Sequence, residues 1–142
     1  MKIAIAADHA GVEMKEQVKA RLIEMGHQVE DYGTNSTSSC DYPDVAKPAA
    51  EAVSHGQADR AVLICGTGIG MSMVANKVKF VRGAVCSEPL SARMTRLHND
   101  ANCLCIGARM IGIEIAFEIL NEFIDTEFEG GRHQRRIDKM EG

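Results

Sequence analysis

The sequence predicts an α/β protein, a Rossmann-like three-layer sandwich with a five-stranded parallel sheet and helices on both faces. Three observations carry this. Short apolar runs alternate five times with segments of helical periodicity, the connections are only a few residues long, and no fixed-period repeat or linker interrupts them. A chain of 142 residues reads as one domain, 1–142, and at this size buries roughly 68–70% of its unfolded surface. Such a core needs no staples.

The elements follow in order. Lys2 to Ala7 is a short apolar strand that stops at Asp8-His9. From Gly11 to Met25, Val12, Met14, Val18, Leu22 and Met25 recur at helical spacing among Lys and Glu, and Gly26 supplies a C-terminal stop. His27 to Tyr32 reads as the second strand, and the polar run 33–39 as a loop long enough to border a site. Asp41-Tyr42-Pro43 opens a second helix running to about His55, with Pro43 tolerated in its first turn. Arg60 to Ile64 is the third strand, followed by a helix over roughly Gly70 to Lys77. Phe80 to Cys86 is a fourth strand, and the helix that starts at Ser87-Glu88-Pro89 is expected to end near Leu97. Asn102 to Gly107 is the fifth strand, and Ile111 to Phe123 a strongly apolar helix. The core is therefore expected over about 1–124, with a basic arm over 125–142.

Composition narrows the function. A formal charge of −4 argues against a general nucleic-acid binder, which needs a basic surface for phosphate contacts. It leaves room for a small phosphate held by a local basic cluster. The five cysteines have no framework of spacings, and no signal peptide is legible, so reduced thiols in a cytoplasm fit best. Cys103 and Cys105 would share one face of a strand and belong to the core rather than to a metal, because no second Cys or His pair completes a tetrahedral site. No apolar run is long enough to cross a membrane, so no membrane partner is expected.

The most informative segment is 61–70, Ala-Val-Leu-Ile-Cys-Gly-Thr-Gly-Ile-Gly. It places Cys65 at the carboxyl end of a buried strand, where ligands bind in open α/β sheets. Gly66, Gly68 and Gly70 let backbone amides approach an anion, and that field would favour the thiolate of Cys65. The plainer reading is a small buried hydrophobe followed by a tight turn. Met71 stands where a dinucleotide fingerprint needs glycine, and no Gly-Lys-Ser/Thr makes a nucleotide loop, so neither cofactor class is supported.

Parallel strands bring the segments that follow them to one edge, which predicts that Asp8-His9, Cys65 to Gly70 and Cys86-Ser87-Glu88 converge. His98-Asn99-Asp100 ends a helix and belongs more naturally at the opposite edge. In the tail, Arg132 and Arg136 would share a helical face and suit a phosphate through paired N–H donors. The alternative is a solvated basic tail.

Taken together, Asp8-His9-Ala10-Gly11, Asp41-Tyr42-Pro43, Cys65-Gly66-Thr67-Gly68, Ser87-Glu88-Pro89, His98-Asn99-Asp100 and Gly130-Gly131-Arg132-His133-Gln134-Arg135-Arg136 resemble the ribose-5-phosphate isomerase B group of sugar-phosphate isomerases, over nearly the whole chain. The resemblance implies interconversion of an aldose phosphate and a ketose phosphate through a cis-enediolate, without metal or cofactor, in the pentose phosphate pathway. It also implies homodimers or dimers of dimers with active sites shared between subunits. Carried over by position, Cys65 is the base that moves a proton between C2 and C1. Thr67 bonds the reacting oxygens, and the amides of Gly66, Gly68, Ile69 and Gly70 hold the enediolate charge. His98, helped by Asp8, opens the furanose ring, and Asn99 holds sugar oxygens. His9, Arg109, Arg132 and Arg136 bind phosphate, the last two from the partner subunit, and Tyr42 borders the site. Members lacking the cysteine use a carboxylate four residues later. That position is Ile69 here, which assigns the chain to the cysteine-base branch.

Two other readings compete. A six-carbon relative, an allose- or galactose-6-phosphate isomerase, would need a longer distance between phosphate and C2. A non-catalytic sugar-phosphate sensor would need the anion site but neither Cys65 nor His98.

Overall fold

The computed structural model describes residues 1–142. Strands β1 (Lys2–Ala7), β2 (Gln28–Asp31), β3 (Arg60–Cys65), β4 (Gly83–Val85) and β5 (Cys103–Gly107) form one sheet in the order β2-β1-β3-β5-β4, with every pairing parallel. Six helices accompany them: α1 (Val12–Glu24), α2 (Tyr42–Ser54), α3 (Ile69–Ala75), α4 (Pro89–Asn99), α5 (Ile113–Asp125) and α6 (Arg132–Glu141).

Alternation along each strand builds two cores. Ile3, Ile5, Val62, Ile64, Leu104 and Ile106 point to one face, where α1, α4 and α5 bring Val18, Leu22, Ala92, Ile119 and Phe123. Ala4, Ala6, Leu63, Cys65, Cys103 and Cys105 point to the other, where α2 and α3 bring Ala46, Ala49, Ala50 and Met71. Both faces of the sheet are covered, so the strands read as continuous apolar runs. Small alanines on β1 and α2 dominate one core, while Phe123 and the isoleucines supply the larger side chains of the other.

Chain order reverses at β1: β2 lies on one side of it and β3 on the other. In open α/β sheets ligands bind beyond the carboxyl ends of the strands at such a reversal, and Asp8 and Cys65 stand at that end of β1 and β3.

Several boundaries differ from the sequence reading by one or two residues, α5 among them at Ile113–Asp125, and three differences have a visible cause. Strand β4 is three residues long rather than seven, because side chains from elsewhere satisfy the backbone just before it and at its first residue. Asn102 Oδ1 accepts from the Arg82 N–H at 2.7 Å, and Asn76 bonds both the N–H and the carbonyl of Gly83. Helix α4 runs on to Asn99, and Asp100 stops it in the left-handed conformation at φ 45°. The segment after residue 125 forms α6, which turns back on α4 and buries His133 and Ile137. Gly130 and Gly131, at φ 73° and 59°, make that reversal possible.

Candidate active site in two halves

The first half occupies the carboxyl edge of the sheet. Asp8 is buried there. Its N–H donates to the Ile64 carbonyl at 3.1 Å, and its Oδ1 accepts from the Ala10 N–H at 2.9 Å. The turn it starts passes so close over β3 that a Cβ on Gly11 would lie 2.8 Å from the Ile64 oxygen. Only glycine fits. His9 is half-buried, and its Nδ1 accepts from the Cys40 N–H at 3.3 Å.

Cys65 ends β3 at 5% exposure, and its Sγ accepts from the Gly68 N–H at 3.1 Å. Gly68 has φ 80°, and a Cβ on it would sit 2.9 Å from the Ile106 backbone, so the turn is pressed onto β5. Thr67 is exposed, and its Oγ1 accepts from the Ile69 N–H at 3.2 Å. The Tyr42 ring rests against Gly70, whose added Cβ would be 2.9 Å from the ring. After β5, the Ala108 and Arg109 N–H groups donate to the Cys65 and Gly66 carbonyls at 2.8 and 3.0 Å. These bonds lay the Arg109 side chain over Gly66, with Nη1 at 3.5 Å from a Cβ built there. Asp8, His9, Tyr42, Cys65 to Gly70 and Arg109 are thus gathered at one edge.

The other cysteines have different surroundings. Burial, with the Glu88 charge adding to it, pushes the Cys86 thiol up to about 11. Cys105 is raised well above an ordinary thiol by its hydrogen bond with Cys103 and then by burial. They are core thiols. Cys86 lies just beyond β4, and Glu88 caps α4 by accepting from the Ser91 N–H.

A loop borders this half. Lys15, fully buried on α1, donates to both Asp31 carboxylate oxygens at 2.9 Å and to the Thr34 carbonyl and Asn35 Oδ1 at 2.8 Å. Burial would raise the Asp31 carboxyl. Hydrogen bonds from Lys15 and the Gly33 N–H override that and hold it below its ordinary value. One buried cation therefore holds the start of the 33–39 loop beside β1, where the Thr34 N–H donates to the Ala7 carbonyl.

The second half lies at the amino edge. His98 and Asn99 end α4 beside the start of β5, and the Arg82 Nε donates to the Asn99 and Asp100 carbonyls at 3.1 Å. Because β3 spans six residues, the two edges are separated by roughly 17–20 Å at about 3.3 Å per residue. Within one chain His98 does not meet Cys65. Arg132 and Arg136 follow on the first turns of α6, both exposed and neither in an ion pair within the chain.

Sequence reasoning missed two residues here. The His98 ring stacks on His133, with centroids 4.3 Å apart and planes inclined by 19°. Glu129 sits beside both, its Oε2 3.9 Å from His98 Nε2 and its Oε1 3.8 Å from His133 Nε2. The three side chains could face a metal ion, but imidazole lone pairs lie in the ring plane. Two nearly parallel planes do not converge on one ion. The signal for His133 was its place beside Arg132. Glu129, one of several acids in the tail, had none.

The model of the family described as Ribose/Galactose Isomerase matches residues 3–140. Ribose-5-phosphate isomerase B of Escherichia coli (strain K12) is 46% identical over 139 residues, covering 98% of this chain and 93% of that protein. A D-erythrulose-4-phosphate isomerase of Pectobacterium atrosepticum is 42% identical over 141 residues, covering 99% and 93%. The solved structure of Clostridium thermocellum ribose-5-phosphate isomerase B superimposes with a TM-score of 0.98 at 45% identity, covering 99% of this chain and 95% of that one. No helix here is long and apolar enough to cross a membrane.

Proposed function

The chain belongs to the ribose/galactose isomerase family and is an isomerase, and we propose that it interconverts D-ribose 5-phosphate and D-ribulose 5-phosphate at sites assembled from two copies. The observation that carries this reading is the division of the chemistry. A base, amide donors and Arg109 occupy one edge of the sheet, while a histidine and two unpaired arginines occupy the other.

In the proposed reaction, His98 of a second copy protonates the furanose ring oxygen as the C1–O bond breaks. Asp8 receives the proton of the anomeric hydroxyl, leaving an open aldehyde. The Cys65 thiolate takes the proton from C2, and the electron pair moves to the carbonyl oxygen. Amides of the 66–70 turn and the Thr67 hydroxyl hold the charge of the cis-enediolate, a role that needs donors fixed before the charge develops. Cys65 returns a proton to C1 and the O2 proton passes to O1, giving the ketose. Electrons stay within the substrate, so no external oxidant or reductant is required. Phosphate is held by His9 and Arg109 of one copy with Arg132 and Arg136 of the other. Asn99 bonds sugar hydroxyls.

Mixing two inactive variants tests the assembly. Cys65→Ala and His98→Asn copies, co-refolded, regain about a quarter of wild-type turnover if each site draws one half from each copy and pairing is random. No recovery would remove the shared site. A fully active Cys65→Ala protein alone would remove the base. One relative bears the name D-erythrulose-4-phosphate isomerase, so kcat/KM on four-, five- and six-carbon phosphates checks the substrate.

A further inference from the structure

We infer that Glu129 is a positioning residue for ring opening, holding the His98 imidazole in the tautomer that leaves Nδ1 for the sugar, with His133 as the platform that fixes the ring plane. The inference rests on the proposed role of His98.

The backbone around Glu129 is built to keep it there. Arg96, 3% exposed, donates from Nε to the Thr126 carbonyl at 3.0 Å and from Nη1 to the Ala101 carbonyl and Asp100 Oδ1 at 2.7 and 2.8 Å. It ties the end of α4 to the strand-like segment leaving α5. Three residues later the Glu129 N–H donates to the Leu97 carbonyl at 3.1 Å. Glu129 is thus bonded to the residue before His98. Gly130 and Gly131 then reverse the chain and return His133 onto the His98 ring.

The chemistry follows from which atoms are occupied. His98 Nε2 faces Glu129 Oε2 at 3.9 Å, while Nδ1 has no partner within the chain. A carboxylate beside Nε2 keeps a proton on that nitrogen before and after transfer, so the proton that moves is the one on Nδ1: the imidazolium donates it to the ring oxygen and is left as the neutral Nε2–H tautomer. Catalytic hydrogen bonds are often long before the substrate arrives, and an exposed glutamate shortens this one by a rotamer adjustment.

His133 serves differently. It is 4% exposed, and its Nε2 is buried with no hydrogen-bond partner. Burial, then the neighbouring His98 and Arg132, push its pKa down, against the opposing pull of Glu129. A neutral ring can stack on a cationic His98 without placing two charges face to face. Glu129, Arg132 and Arg136 are the charged groups that surround the pair.

The two directions of the reaction separate this role from others. Ribose 5-phosphate enters as a ring, whereas ribulose 5-phosphate cannot close a furanose because its O5 carries the phosphate. Exchange of the C1 proton of ribulose 5-phosphate in heavy water therefore needs Cys65 but no ring opening. Glu129→Gln is expected to lower kcat for ribose 5-phosphate by at least about tenfold, as when the orienting carboxylate of a working histidine is neutralised, and to leave the C1 exchange rate unchanged. His98→Asn is the reference and should show the same split. If His98→Asn leaves ribose turnover intact, the proposed function fails. If it shows the split and Glu129→Gln does not, or if Glu129→Gln slows both reactions equally, the positioning role is overturned.

Discussion

Gly107 crosses Thr67 so closely that a Cβ on it would lie 2.6 Å from the Thr67 carbonyl carbon. The contact is backbone against backbone, so no side-chain movement relieves it. It holds the end of β5 against the turn that follows Cys65, and with Gly68 it keeps the 66–70 amides in place. Gly107→Ala is expected to cost about 1–3 kcal/mol, the usual range for overpacking, and to lower kcat far more than that loss of stability explains. Thermal unfolding and steady-state turnover of the same preparation check both.

Cys65 differs from Cys86, Cys103 and Cys105 in its surroundings rather than its burial. It alone has a turn amide donating to its sulfur. Cys65→Ala should lower turnover by roughly 10²–10⁴-fold, the span of a lost general base, while Cys86→Ala keeps it. Near-normal turnover of the Cys65 variant would overturn the assignment.

Lys15 is a buried cation whose contacts are all satisfied within the chain. Removing it leaves the Thr34 carbonyl and Asn35 Oδ1 without their donor, and Asp31 with only the Gly33 N–H and the partly exposed Lys19. Lys15→Met is expected to destabilise the protein by about 3–5 kcal/mol, the range for breaking one side of a buried pair. The double variant Lys15→Met/Asp31→Leu should recover much of that loss, because no charge is then stranded. Denaturant unfolding of the three proteins checks the order.

Asp31 also sets an acid limit. Its folded-state pKa lies below the ordinary 3.8, so the unfolded chain binds the proton more readily. The stability it contributes is fully present above that ordinary value and is lost as pH falls through the folded-state value. Wild type should lose stability more steeply than the Lys15→Met/Asp31→Leu variant from about pH 4 downward. Parallel unfolding curves across that window would refute the linkage.

Much of this was legible in the chain because period and punctuation agree. β1, α1, β3 and β5 show apolar runs or helical spacing bounded by Gly26, Gly66 and Gly107, and local preference matches the fold. The carboxyl-edge half of the site follows from topology alone, since parallel strands deliver Asp8 and Cys65 together. What was not legible depends on partners distant in sequence. Lys15 reads as one of several lysines on α1 until Asp31 and Asn35 arrive from β2 and its loop. β4 reads too long until Asn76 and Asn102 are known to occupy its backbone. Glu129 acquires meaning only when α6 folds back on α4.

Arg132 and Arg136 stand one helical turn apart with no carboxylate on either, an arrangement that costs a few tenths of a kcal/mol through like-charge repulsion. An isolated tail would lose nothing by neutralising it. A phosphate bound between them would repay it through charge-assisted hydrogen bonds, each worth about 1.5–3 kcal/mol. Single changes to Met should therefore raise KM for ribose 5-phosphate by roughly 10- to 100-fold, with a smaller effect on kcat, because the phosphate is bound alike in ground and transition states. Inorganic phosphate is expected to raise the Tm of the wild type by mass action, and the double variant should lose that rise. A double variant with unchanged KM would return α6 to the role of a solvated basic tail.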